Sequence, residues 1–303
     1  MTKSALILGA NGRFGRNAAE AFKAAGWTTR LFDRKSDDLK TAAQDVDVIV
    51  NGWNPVYTDW AADIPKFTAE IIAAAKETGA IVMLPGNVYS FGAGSPDVLS
   101  ENTPQAAENP LGRIRVEMEA AYRNSGVRTI ILRGGDFIDT KDSGNWFDMI
   151  MTKKIDKGRF TYPGDATIPH AWAYLPDMAR ALVALAEKRE HLATFEDIPF
   201  PGYTLSGQEM RTALEKVANL PVRLKKMSYL PISLLSPFWK MGAKLVEMSY
   251  LWSMPHRLDN RKFDRLLPDF KPSPIGEALS AAIKHKIDVD QPVMTANTPA
   301  LAN

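Results

Sequence analysis

Three glycines spaced by two residues, Gly9, Gly12 and Gly15, lie in Ser4-Ala-Leu-Ile-Leu-Gly-Ala-Asn-Gly-Arg-Phe-Gly, directly after a short apolar run. That spacing is suited to holding a pyrophosphate. Gly9 permits the sharp exit from a strand, Gly12 lets a phosphate approach bare backbone, and Gly15 lets the following helix pack close to the sheet. The helix amino end adds N–H donors and a favourable dipole. Asn11, Arg13 and Phe14 complete the turn and join the candidate cofactor set, as does Gly52 in the later turn Asn51-Gly52-Trp53-Asn54-Pro55. Asp33 ends the second expected strand, where a carboxylate accepts from both ribose hydroxyls and selects NAD. Arg34 and Arg13 argue for a 2'-phosphate instead. The reading is NAD(P), with a slight lean to NADP because two guanidinium groups can reach the phosphate while Asp33 can rotate away.

These residues need a scaffold of alternating strands and helices, and the pattern supplies one. Strands are expected over 28–32, 46–50, 80–84 and 128–132, and helices over 17–25, 39–43, 64–77 and 111–124. The connection from the second strand to the third is unusually short. This predicts an α/β fold, a Rossmann-like doubly wound parallel sheet, over residues 1–165. Beyond Arg133 the loops become rich in Gly, Pro and aromatics, with helices expected near 146–150, 176–188, 206–217 and 275–283. That points to a smaller substrate-covering portion, residues 166–290, interleaved with the first. The stretch 230–252 has apolar residues at helix-like spacing, which suits a pocket wall or a dimer face. It carries few basic residues for a membrane-surface helix. The segment 291–303 reads as a disordered tail.

The chain has 303 residues, a net charge of +2 and no cysteine, so thiolate chemistry, disulfides and cysteine-ligated metals are excluded. The near-neutral charge gives no case for nucleic acid. Four scattered histidines, His170, His191, His256 and His285, lack metal-ligand spacing. With no signal-like start and no apolar run of spanning length, a cytoplasmic protein without membrane or metal is expected.

Further motifs join the glycine turn: Val88-Tyr89, Glu101-Asn-Thr-Pro104, Glu108-Asn-Pro110, Leu132-Arg-Gly-Gly-Asp-Phe137 and Tyr174-Leu-Pro-Asp-Met-Ala-Arg180. In this order they resemble the extended short-chain dehydrogenase/reductase superfamily, which holds NAD-dependent epimerases, dehydratases and nucleotide-sugar reductases. The resemblance spans roughly residues 4–285, by motif order. It implies hydride transfer to or from nicotinamide, with a Tyr-x-x-x-Lys helix handling the proton. Here Leu111 stands in the tyrosine position and Arg115 in that of the lysine. The chain therefore reads as an atypical member.

The resemblance leaves Tyr89 as the best proton donor, with Asn87 to orient a carbonyl or hydroxyl and Arg115 as a ribose ligand and fixed charge. Tyr89 and Arg115 each have a plainer alternative: a packed tyrosine, and a solvated helix charge. His170 reads as a surface histidine, Asp177 as a helix cap or anchor, and Arg133 as a substrate contact or a structural ion pair. Two functions stand: an NAD(P)-dependent reductase or epimerase of a polar small molecule such as a nucleotide sugar, or a non-catalytic NAD(P)-binding sensor. Dimerisation, by the same resemblance, runs through helices 64–77 and 111–124.

Overall fold

The computed structural model describes residues 3–287; the tail expected at 291–303 lies outside them. Six parallel strands form the central sheet: β1 (Ser4–Leu8), β2 (Thr28–Phe32), β3 (Val48–Asn51), β4 (Ile81–Gly86), β5 (Thr129–Arg133) and β6 (Phe195–Pro199). Their order is β6-β5-β4-β3-β1-β2. The chain steps outward from β1 to β2, then crosses back to β3 on the other side. The strand order therefore reverses between β1 and β3, and ligands of such sheets bind outside the carboxyl ends at that reversal. Both the glycine turn after β1 and the Gly52 turn after β3 lie there.

Alternation along each buried strand feeds two cores. Leu6, Leu8, Ile49, Val82 and Ile131 face α3 (Trp60–Thr78) and α4 (Pro110–Ser125) through Ile64, Ile71, Met118 and Tyr122. On the other face, Ala5, Ile7, Val48, Met83 and Leu132 meet Phe14, Ala18 and Phe22 of α1 (Arg13–Ala24). Leu182 and Leu185 of the helix Leu175–Glu187 join that second core. The first helix begins at Arg13 rather than at Asn17, because Gly12 already serves as its cap.

A second, three-stranded sheet joins Asp136–Ile138, His170–Tyr174 and Tyr203–Leu205. It covers the carboxyl side of β5, and its own core includes Phe147, Phe160, Tyr162, Trp172 and Trp252. The helix expected at 146–150 is a single wide turn, closed by Thr152 N–H donating to the Phe147 carbonyl at 2.8 Å. The stretch 230–252 is not one helix. Pro237 separates Leu230–Leu235 from Lys240–Glu247, and a tight turn, Met248–Ser253, follows. Nor does its first half wall a pocket: Leu230, Leu234, Leu235 and Phe238 face outward.

Candidate active site

The cradle at the strand reversal is built from backbone. Gly9 turns the chain at φ +71°, a conformation costly for any residue with a Cβ. Gly12 N–H then closes onto the Gly9 carbonyl at 2.8 Å. A Cβ on Gly15 would sit 2.2 Å from the Gly9 carbonyl oxygen, and one on Gly52 would sit 2.7 Å from that of Leu8. Both glycines therefore set how closely α1 and β3 approach β1. The amino end of α1 carries no side-chain cap and no acidic residue in its first turn. Its first N–H groups thus suit an anion.

From this cradle a groove of about 1030 Å³ runs over Asn11, Gly12, Asp33, Arg34, Lys35, Gly52, Trp53, Asn54 and Phe67. The Arg34 guanidinium stands 5.3 Å from the Trp53 ring and 5.0 Å from that of Phe67, forming a flat slot at the β2 end. The Asp33 carboxylate accepts from Lys35 N–H at 3.0 Å. Replacing Gly12 with Val puts a branched side chain where a diphosphate would meet the turn. Affinity for NADH, measured by calorimetry, is expected to fall at least about tenfold, since a Cβ there is already 3.1 Å from the Gly9 carbonyl oxygen. Unchanged affinity would remove the cradle from this site.

Several expectations are corrected by the side chains. Arg13 does not join Arg34: it crosses to the Gly144 carbonyl at 2.8 Å and lines a different cavity, so the paired-guanidinium argument for NADP fails. The Phe14 ring is buried in the core beneath α1, leaving only its backbone toward the cradle. Arg115 is no solvated helix charge. It is buried, donates to Asn54 Oδ1 at 2.6 Å and stacks 4.1 Å from the Trp60 ring, while burial pushes its guanidinium below the usual range. It reaches the groove through Asn54. Asp177 holds another segment rather than capping its own helix, accepting from Ser273 N–H at 2.6 Å and Ser273 Oγ at 2.8 Å. Arg133 is a fully buried ion-pair centre between Glu119 and Asp197.

Asn54 also borders a small cavity of about 60 Å³ lined by Arg13, Tyr57, Asn87, Tyr89, Asp136 and Trp146, among others. Here two hydroxyls meet: Tyr57 Oη and Tyr89 Oη are 2.7 Å apart. Asn87 shapes the loop, its Oδ1 accepting from Tyr89 N–H at 3.0 Å. Burial is the main cause that holds both phenols above their ordinary range, Tyr89 well above it, and Asp136 adds to the effect. Among the described residues, no group of three or more metal-ligating side chains is gathered.

Asp136 Oδ2 in turn accepts a hydrogen bond from His170 Nε2 at 2.7 Å. His170 is not at the surface. It is buried, stacked 4.4 Å from the Trp252 ring and edge-on to His256 at 4.4 Å. Tyr57 and Asp136 are the functional candidates that the sequence reading missed. Asp136 stood within a quoted motif; for Tyr57 no local pattern pointed to the cavity.

His256 gives a stability prediction. Its Nδ1 bonds the Met254 carbonyl at 2.9 Å, and burial, with His170 beside it, pushes its pKa down to about 3. An unfolded imidazole titrates near 6.5, so as pH falls the unfolded state takes up the proton first and stability drops from about pH 6.5 toward 3. At pH 5 the loss is about 2 kcal/mol relative to pH 8. Urea unfolding should show it, and His256→Phe should flatten that part of the profile; an undiminished slope would assign the loss elsewhere.

No protein-family model matches this sequence, and no curated protein matches it. Solved structures do. A nucleoside-diphosphate-sugar epimerase from Pseudomonas aeruginosa superposes with a TM-score of 0.70 at 17% identity, over 93% of this chain and 96% of that one. The UDP-glucuronic acid 4-epimerase from Bacillus cereus, in complex with UDP-glucuronic acid and NAD, gives 0.69 at 16%, over 93% and 98%. TunA, an NAD-dependent NDP-hexosamine 5,6-dehydratase of tunicamycin biosynthesis, gives 0.72 at 15%, over 96% and 100%. The chain shares the overall fold of these proteins, a parallel Rossmann-like sheet flanked by helices and continued into a second, smaller sheet.

Proposed function

We propose that the protein is an NAD(P)-dependent reductase or epimerase of a polar small molecule of the nucleotide-sugar class, with a tyrosine pair in place of the Tyr-x-x-x-Lys dyad. The observation that carries this reading is the adjacency of groove and cavity. A backbone cradle fit for a diphosphate leads, past Asn54, to two buried hydroxyls and a carboxylate. A bound nicotinamide cofactor supplies the hydride. The chain's own part is the proton: Tyr89 Oη donates to the substrate oxygen as it gains charge, and Tyr57 Oη passes a proton to Tyr89. Asp136, which lines the same cavity, is anchored from behind by His170. Arg115 acts as a positioning residue for Asn54 and, through it, for the ribose.

Because burial disfavours the phenolate and no lysine stands beside either tyrosine, the pair is set to donate protons rather than to abstract them. Reduction is therefore the favoured direction. The test is steady oxidation of NADH and NADPH by a panel of nucleotide-sugar carbonyl compounds. Binding without turnover favours the second reading, a non-catalytic NAD(P) sensor, which the small volume of the cavity supports. A sugar ring enters only if the segment tied by Arg13 to Gly144 moves aside. Dimerisation through the neighbouring helices α3 and α4 remains part of the proposal.

Cofactor choice rests on Arg34 and Asp33. If Arg34 reads the 2'-phosphate, Arg34→Ala weakens NADPH about tenfold and leaves NADH within about twofold. Equal losses for both would make Arg34 an adenine-stacking residue instead.

A further inference from the structure

Between Glu215 and Glu247 the chain has no acidic residue but six basic ones, Lys216, Arg223, Lys225, Lys226, Lys240 and Lys244. Within that interval lies the most exposed apolar surface of the described residues. Phe238 is 92% exposed, Leu234 70%, Leu230 68% and Leu235 57%, and Trp239 is 44% exposed with its ring folded over Gly242. Leu230, Leu234 and Leu235 sit on the first of two short helices, Phe238 and Trp239 follow Pro237 in the link to the second, and among the described residues nothing covers the exposed tip. Arg223, Lys225 and Lys226 occupy the exposed strand that leads into the first helix, and Lys240 follows Trp239 directly. Of the six, Lys244 is neutralised by Glu247 at 2.8 Å. The basic residues thus bracket the apolar tip from both ends of the chain segment. The window 230–252 taken alone excludes the three that precede it.

We propose that this tip docks on an anionic phospholipid surface, with Phe238, Leu234 and Leu230 in the headgroup boundary and Lys225, Lys226 and Lys240 against the lipid charges. Aromatic and aliphatic side chains flanked by lysine and arginine are the composition such interfacial segments use. Charge is what selects this occupant over a second copy of the chain. An isologous dimer places the same patch against itself, and here that brings two basic rims together. The docking is peripheral; among the described residues no helix is long and apolar enough to cross a membrane. Its place on the molecule is informative too. The helix Lys240–Glu247 packs against the turn Tyr57–Asp59, whose Tyr57 lines the small cavity, whereas no residue of the tip lines the long groove. The surface therefore adjoins the substrate half of the site and leaves the cofactor half free.

Sedimentation of the full chain with vesicles tests this. Vesicles containing phosphatidylglycerol are expected to carry the protein down about tenfold more effectively than phosphatidylcholine alone, with the difference shrinking at high salt. Phe238→Asp, and separately the combination Lys225→Glu, Lys226→Glu and Lys240→Glu, should each reduce binding to anionic vesicles at least about tenfold. All four positions are exposed, so unchanged NADH affinity serves as the control for folding. The proposal is overturned if the native chain stays in solution with anionic vesicles, or if Phe238→Asp sediments as the native chain does. It is equally overturned if the native protein is a dimer that Phe238→Asp splits, which would give the face to a second copy.

Discussion

Arg133→Met is expected to cost about 3–5 kcal/mol of folding stability, enough to leave the protein largely unfolded at moderate urea. Arg133 is completely buried at the end of β5. Its Nη2 meets Glu119 Oε2 and Asp197 Oδ2 at 2.6 Å each, its Nε meets Asp197 Oδ1 at 3.1 Å, and its Nη1 donates to the Asn87 carbonyl at 2.5 Å. Burial opposes the charge, yet Asp197 and Glu119 outweigh it and hold the guanidinium above its ordinary range. A methionine of similar length fills the space but strands two carboxylates in the core. Removing one partner of such a cluster costs far more than replacing all of it. Adding Glu119→Gln and Asp197→Asn to Arg133→Met should therefore recover a good part of the loss. A change in the unfolding free energy below about 1 kcal/mol for Arg133→Met alone would show that the cluster is not integral to the fold.

The same cluster ties stability to the site, because the Asn87 carbonyl it holds belongs to the loop that presents Tyr89. The sequence allowed for this ion pair only as an alternative to substrate contact, since Glu119, Arg133 and Asp197 lie on three elements. The cradle was far more legible. Its residues are consecutive, and only glycine tolerates the φ of position 9 and the 2.2 Å approach that a Cβ at position 15 would impose. The short link from β2 to β3 was visible as well, and it explains why the sheet ends at β2 with no further strand beyond it.

What resisted reading was side-chain direction and convergence. Arg13 follows the phosphate turn in sequence, but as the first residue of α1 it points across to the 139–146 loop rather than along the groove. Tyr57, Tyr89, Asp136 and His170 come from the loop after β3, the loop after β4, and two strands of the second sheet. No spacing rule links such positions. They meet because all of these segments end at the carboxyl side of one parallel sheet, a consequence of topology rather than of local pattern. The stretch 230–252 was legible only as a pocket wall or a dimer face; its first half faces outward, so the pocket-wall reading falls for that half, because periodicity alone does not distinguish an inward face from an outward one.

Tyr89→Phe should lower kcat for carbonyl reduction by about 100-fold or more, about 2.7 kcal/mol in barrier height. The substitution removes one oxygen, and the ring keeps its packing against Trp60 at a centroid distance of 6.1 Å. NADH affinity should not change, because Tyr89 does not line the long groove proposed to hold the cofactor. Tyr57→Phe should have a smaller effect, about tenfold, since it removes the proton supply and spares the donor. The pH profile supplies the independent readout. A phenol raised by burial stays protonated well past neutrality, so the rate of reduction should remain level through about pH 9 and fall only above the ordinary tyrosine range. A lysine-paired tyrosine would instead lose its proton near neutral pH, and the reductive rate would decline there. An alkaline limb near pH 7, or a Tyr89→Phe variant as fast as the native protein, would take the proton step away from this pair.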